Sequence, residues 1–122
     1  MSKKILIVED EPDILKMLEF ILEKNGFEVI VAIDGPQALD LFKQQKPDLV
    51  ILDWLLPSMD AAEISSRMRD ISGSKYTPVI LLTATAEDII KKAKDCDAQA
   101  YYLKPFDYEE LVKKVEELVK LN

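Results

Sequence analysis

Five short runs of apolar residues, spaced along the chain, limit what it can fold into more than any other feature. They are Ile5–Val8, Phe27–Ile33 (broken only by Glu28), Leu49–Leu52, Val79–Leu82 and a weaker run at Ala100–Leu103. None alternates apolar with polar. A strand with one wet face alternates, whereas a strand covered on both faces does not, and double cover is what a parallel sheet requires. Between the runs the apolar period lengthens to that of a helix over Pro12–Lys24, Pro36–Gln45, Ala61–Ile71, Glu87–Asp95 and Tyr108–Leu121. Pro12 opens the first of these and Gly26 follows it, while Pro47 closes the second. The last helix sets Leu111, Val115, Leu118 and Val119 on one stripe. Its pairs Glu109–Lys113, Glu110–Lys114 and Glu116–Lys120 stand i,i+4 in the favourable order. Strand and helix alternating five times predict an α/β fold, a single doubly wound parallel sheet with helices on both faces. At 122 residues this is one domain, spanning 1–122.

Composition removes several function classes. The chain has no histidine, which excludes Ser-His-Asp and Cys-His nucleophile systems, His-ligated zinc and a phosphohistidine of its own. A lone Cys96 excludes an internal disulfide and a multi-cysteine metal site, and is expected as a small buried apolar residue. The net charge of −7 repels nucleic-acid phosphate, so no direct nucleic-acid binding by this domain is expected. Lys3 and Lys4 precede only four apolar residues, too few for a signal-peptide core, and no run approaches the ~18 that span a membrane. The expected compartment is the cytoplasm, with no membrane partner.

In a doubly wound sheet ligands bind beyond the carboxyl ends of the strands. Those ends carry chemistry here. The first run is followed by Glu9-Asp10, the third by Asp53, the fourth by Thr83 and the fifth by Lys104-Pro105. Three carboxylates gathered against one ammonium repel strongly in a cleft, and a divalent cation would cancel the excess. Oxygen-only donors favour a hard ion, so Mg²⁺ is the natural guest, with Mn²⁺ able to substitute. A metal, a lysine and a hydroxyl around one carboxylate suit phosphoryl transfer, with Asp53 as the nucleophile that attacks phosphorus in line.

The segments ILIVEDEPDI, DGPQAL, PDLVILDWLLP, LLTA and YLKPF, in that order and spacing, resemble the receiver domain of two-component response regulators across essentially the whole chain. The resemblance implies a flavodoxin-like strand order 2-1-3-4-5 and a cis Lys104–Pro105 bond. It implies Asp53 as phosphoacceptor, Asp10 as a direct Mg²⁺ ligand, Glu9 as one acting largely through water, and the Leu55 backbone carbonyl as a third metal ligand. Thr83 matches the switch hydroxyl, Lys104 the phosphoryl-contacting lysine, and Tyr101 the aromatic that moves with Thr83. Tyr102 is expected to pack in the core on the other face. The implied partners are a sensor histidine kinase or a histidine phosphotransfer protein as donor, and a downstream effector domain or protein. Output is expected on the face of the fourth helix, fifth strand and fifth helix, with a phosphorylation-linked homodimer among the outcomes. Such a domain catalyses only its own phosphorylation and dephosphorylation, and is not an enzyme acting on a separate substrate.

Receivers usually carry glycine where this chain has Ala61 and Asp97. Because aspartate tolerates the left-handed region better than alanine, the loop before Ala61 is expected to be the more altered. An apolar Leu55, with Thr85 at another position that tunes water access, predicts slow self-dephosphorylation. In the first helix the apolar arc spans about 160°, wider than the ~100° usually buried on a sheet. Some of Ile14, Met17, Phe20 and Ile21 are therefore expected to stay exposed beside the acid pocket and to dock a kinase helix pair, while Lys91-Lys92-Lys94 reads as a solvated helix face. Two other functions fit the sequence less well. A degenerate receiver that only binds a partner would not need Asp10, Asp53, Thr83 and Lys104 intact. A haloacid-dehalogenase-like phosphatase needs a second Asp two residues after the first, where Leu55 stands.

Overall fold

The apolar runs form one parallel sheet in a computed structural model that describes residues 2–73 and 76–120. In chain order the elements are β1 (Lys4–Val8), α1 (Pro12–Lys24), β2 (Glu28–Ala32), α2 (Gly35–Gln45), β3 (Leu49–Asp53), α3 (Ala61–Ser72), β4 (Val79–Thr83), α4 (Ile89–Asp95), β5 (Ala100–Leu103) and α5 (Tyr108–Lys120). The sheet order is β2-β1-β3-β4-β5, as the resemblance implied. The last residue of the final helix as read from sequence, Leu121, lies outside the described residues.

Continuous apolar strands fill two cores because successive side chains point to opposite faces. Ile5, Ile7, Leu49, Ile51, Ile80 and Leu82 meet Leu18 and Leu22 of α1 and Leu111, Val115, Leu118 and Val119 of α5 on one side. Leu6, Val8, Val50, Leu52, Val79 and Leu81 meet Ala38 and Phe42 of α2, Ile64 and Met68 of α3 and Ala93 of α4 on the other. Burying each such aliphatic side chain stabilises the fold by about 1.5–3 kcal/mol. Tyr102 packs with the α1–α5 core, and Cys96 is buried with the other.

The register levels the strand ends. Val8 stands opposite Ala32 and Leu52, Asp53 opposite Leu82, and Thr83 opposite Leu103. Backbone hydrogen bonds extend past these ends: the amide of Glu9 donates to Ala32 at 3.0 Å, that of Trp54 to Leu82 at 2.7 Å and that of Lys104 to Thr83 at 2.8 Å. Glu9, Asp53, Thr83 and Lys104 are thereby fixed along one rim by the sheet itself.

Helix ends show where side chains outrank periodicity. α2 starts at Gly35, one residue before Pro36, because the Asp34 carboxylate accepts from the Gln37 amide at 2.9 Å and caps it. A Cβ on Gly35 would lie 2.8 Å from the Cβ of Met59, so this close approach of α2 to the β3–α3 loop requires glycine. α4 starts at Ile89 rather than Glu87, because Asp88 adopts the left-handed region (φ 52°) and breaks the first turn. On α5, Lys114 pairs with Glu117 at 3.3 Å, an i,i+3 contact in place of the i,i+4 one expected with Glu110.

Asp97 sits at φ 49°, within what aspartate tolerates. Arg69 fastens this turn, with Nε donating to Asp97 Oδ2 at 3.1 Å and Nη1 to the Thr77 carbonyl at 2.6 Å. Ala61 is the first residue of α3, and the positive φ of the preceding loop falls at Ser58 (70°). Ala61 therefore carries no left-handed strain, and the disturbance expected there does not take that form.

Candidate functional site

Beyond the ends of β1, β3 and β5 the rim holds a cleft of about 400 Å³, lined by Asp10, Glu11, Asp53, Leu55, Leu56, Pro57, Ala84 and Lys104. Carboxylate oxygens of Glu9, Asp10 and Asp53 all lie within 4.8 Å of one another. Glu9 is fully buried and Asp53 nearly so at 3% exposure, while Asp10 faces solvent. Carboxylates are almost never buried without a partner. Here the partner is Lys104, whose Nζ stands 2.9 Å from Glu9 Oε1, 3.3 Å from Asp53 Oδ1 and 2.8 Å from Glu11 Oε1.

Local backbone completes the cluster. Glu9 Oε2 accepts from the amides of Asp10 and Glu11, each at 3.1 Å, which ties its carboxylate to the backbone leading from β1 to α1. Asp53 Oδ1 accepts from the Leu55 amide at 3.4 Å, at the long end of the range. Glu9 Oε1 faces the Lys104 ammonium at 2.9 Å, so each oxygen of this buried carboxylate has a partner. Three carboxylates around one point against a single ammonium leave excess negative charge, and an all-oxygen donor set of this kind fits a hard divalent cation.

Electrostatics make Asp53 unusual. Burial, followed by repulsion from Glu9, pushes its carboxyl up to about 7, although Lys104 pulls in the opposite direction. For Lys104 burial disfavours the charged form, but hydrogen bonds to Glu11 and Glu9 and attraction to Asp53 outweigh it and hold the ammonium above its ordinary range. The lysine is therefore a fixed positive charge, and Asp53 is an acid whose ionisation depends on its neighbours.

Thr83 is buried at the end of β4, where its hydroxyl donates to the Thr85 carbonyl at 3.3 Å and accepts from the Thr85 amide at 3.4 Å. Tyr101 of β5 is 42% exposed, and Leu103, two residues along the same strand, is exposed as well. Of the four α1 residues from which an exposed subset is expected, Met17 and Phe20 are exposed, whereas Ile14 and Ile21 are half-buried against the core. The leucine at position 55 projects into solvent, 75% exposed.

Two contributors escaped the sequence. Glu11 shares Lys104, and its signal was being the third consecutive acid immediately before the helix-opening Pro12. Lys92 was read as part of a solvated face. Its Nζ instead lies 5.3 Å from the Trp54 ring centroid and donates to Thr85 Oγ1 at 3.0 Å. Spacing carried a signal there as well, since Lys92 stands three residues after Ile89, at the border of the face that buries Ala93. Lys91 is exposed and pairs with Asp95 at 3.0 Å, and Lys94 is exposed.

A family model described as the response regulator receiver domain matches residues 5–116. The chain is 38% identical over 123 residues to the sporulation initiation phosphotransferase F of Bacillus subtilis (strain 168), covering 100% of this chain and 98% of that protein. It is 36% identical over 121 residues to the alkaline phosphatase synthesis transcriptional regulatory protein PhoP of the same organism, covering 98% of this chain and 50% of that protein, so it spans about half of that relative. Among solved structures, the chemotaxis response regulator CheY4 of Vibrio cholerae superposes with a TM-score of 0.88 at 30% identity, covering 97% of this chain and 99% of that one.

Proposed function

This chain belongs to the response regulator receiver domain family, and from that membership we propose that residues 1–122 form one receiver whose Asp53 accepts a phosphoryl group from a histidine kinase or a histidine phosphotransfer protein. The observation that carries the reading is Asp53 itself, buried at the end of β3 with Lys104 Nζ 3.3 Å away and Glu9 behind it. Asp53 Oδ attacks phosphorus in line, the bond to the donor atom breaks, the departing group keeps that electron pair, and an acyl phosphate remains. Lys104 holds positive charge against the phosphoryl oxygens, which is stabilisation placed where negative charge gathers. Its site already carries that charge before the donor arrives.

Glu9, Asp10 and Asp53, with the Leu55 backbone carbonyl, would hold Mg²⁺, or Mn²⁺ in its place. When bound, such an ion neutralises the acid cluster and the phosphoryl oxygens. Glu9 was expected to act largely through water; here it is also a direct partner of Lys104.

Thr83 turns its hydroxyl from Thr85 to the phosphoryl group, and Tyr101 follows inward, changing the face of α4, β5 and α5 that meets an effector or a second copy of the domain. No independent substrate is turned over. Nothing in this role needs a lipid or a nucleic acid, and among the described residues no helix is long and apolar enough to cross a membrane. The cytoplasm is the fitting compartment. The exposed Leu55 offers no polar group to an attacking water, so the acyl phosphate should be long-lived.

Incubation with acetyl phosphate and Mg²⁺, followed by intact mass, tests the reading. One phosphoryl group should be added, should be absent in Asp53→Asn, and should persist well beyond seconds after the donor is removed. Addition that survives Asp53→Asn overturns the assignment, and decay within seconds overturns the slow-hydrolysis reading. Met17 and Phe20 are the exposed part of the donor-docking surface. Charged residues at both should slow transfer from a cognate kinase at least tenfold while leaving acetyl phosphate rates within about twofold; equal slowing with both donors would remove the docking role.

A further inference from the structure

Lys92 joins two segments that leave neighbouring strand ends. Trp54 follows Asp53 directly, and Thr85 lies two residues after Thr83. The Lys92 ammonium lies 5.3 Å from the Trp54 ring centroid and donates to Thr85 Oγ1 at 3.0 Å. Thr85 in turn occupies both hydrogen-bonding functions of the Thr83 hydroxyl, through its carbonyl at 3.3 Å and its amide at 3.4 Å. An unbroken set of contacts therefore runs from α4 to the hydroxyl at the site.

We infer that Lys92 is a positioning residue that holds the β4–α4 loop over Trp54, and with it keeps the Thr83 hydroxyl turned to Thr85 until Asp53 is phosphorylated. This rests on the receiver reading above. Thr83 cannot give its one proton to a phosphoryl oxygen while it donates to Thr85. Both of its present bonds are long and weak, so the loop rather than the hydroxyl sets the cost of turning. The loop buries little: Ala84, Thr85, Ala86, Glu87 and Asp88 are all exposed, and the helix it leads into has only seven residues. A cation over an indole is worth about a two- to fivefold shift in such an equilibrium, and the hydrogen bond to Thr85 adds to it. The lysine thus favours the unphosphorylated arrangement and slows phosphoryl acceptance by that factor.

Trp54 is the sole tryptophan, so its emission reports the contact without a label. Lys92→Met keeps the stem but removes charge and donors, and Lys92→Arg keeps both. Emission from wild type and Lys92→Met should differ in the free protein, and the difference should vanish in Mg²⁺ with beryllofluoride, a phosphoryl mimic. Lys92→Met and Thr85→Val should each accept a phosphoryl group from acetyl phosphate about fivefold faster, with Lys92→Arg close to wild type. An emission difference that persists unchanged with beryllofluoride, or a Lys92→Met rate equal to wild type, overturns the inference. Should wild type itself take no phosphoryl group by mass, the receiver reading fails instead, so the two failures are distinguishable.

Discussion

The two halves of the rim are held in different ways. On the side of β1 and β3, Glu9 and Asp53 are buried, and the Lys104 ammonium is within 2.9 Å of one and 3.3 Å of the other. On the β4–α4 side, Thr83 makes hydrogen bonds of 3.3 and 3.4 Å to an exposed loop, which leads into a helix of seven residues against thirteen in α1 and in α5. The difference teaches where motion belongs. Charges removed from water are costly to separate, whereas neutral bonds as long as these hold the loop only weakly. On the proposed function, the surroundings of the nucleophile are built not to move, and the part that would signal is built from contacts that release easily.

The firmest challenge to that contrast is Lys104→Met. Removing the ammonium leaves Glu9 buried without its counter-charge and Asp53 facing it unshielded. Loss of one partner from a buried pair costs on the order of 3 kcal/mol. Urea unfolding in the absence of divalent cations should show that loss, and a change below about 1 kcal/mol would mean that the cluster is not held by charge.

Asp53→Asn should act in the opposite direction on stability. Folding raises the Asp53 carboxyl from 3.8 to about 7, so the folded chain binds this proton more tightly than the unfolded chain does. The contribution is present in full below about pH 4, falls as the pH rises towards 7 and is level above that. Asparagine removes the ionisation, so at pH 8 without metal the variant should be the more stable by a few kcal/mol, the attraction to Lys104 being already counted in the raised value. At pH 4 the two should agree. Thermal melts at both pH values test it: a variant less stable than wild type at pH 8 would show that the ion pair with Lys104 outweighs the burial of Asp53.

The same contrast governs what could be read without coordinates. Strands were legible because burial on both faces leaves no polar position, as in Val79–Leu82. The rim acids were legible because a parallel sheet sends every carboxyl end to one edge. Strand order was supplied by the family resemblance, since hydrophobic runs do not state their neighbours. The β4–α4 region was least legible. A left-handed Asp88 has no unique residue signature, and it shortened a helix whose periodicity extended to Glu87. Lys92 looked like its neighbours Lys91 and Lys94, although only its place on the helix border takes it onto Trp54. Glu11 was passed over for a related reason: a long side chain at a helix entrance can go to solvent or fold back, and a lysine 93 residues away decided it.

Glu11→Gln gives the smallest effect and separates distance from strength. At 2.8 Å its bond to Lys104 is as short as any that the lysine makes, but the glutamate side chain is 58% exposed, against 0% for Glu9 and 4% for Asp53. An ion pair with one partner in water contributes at most about 1 kcal/mol, because solvent already screens the charge. In the proposed function Glu11 also competes for the lysine that would meet the incoming phosphoryl oxygens. The variant should lose less than about 1 kcal/mol of stability, and its initial rate with acetyl phosphate should stay within about threefold of wild type and not fall below it. A loss of stability comparable to that of Lys104→Met would place Glu11 inside the fixed cluster, and burial would no longer be what divides the two halves of the rim.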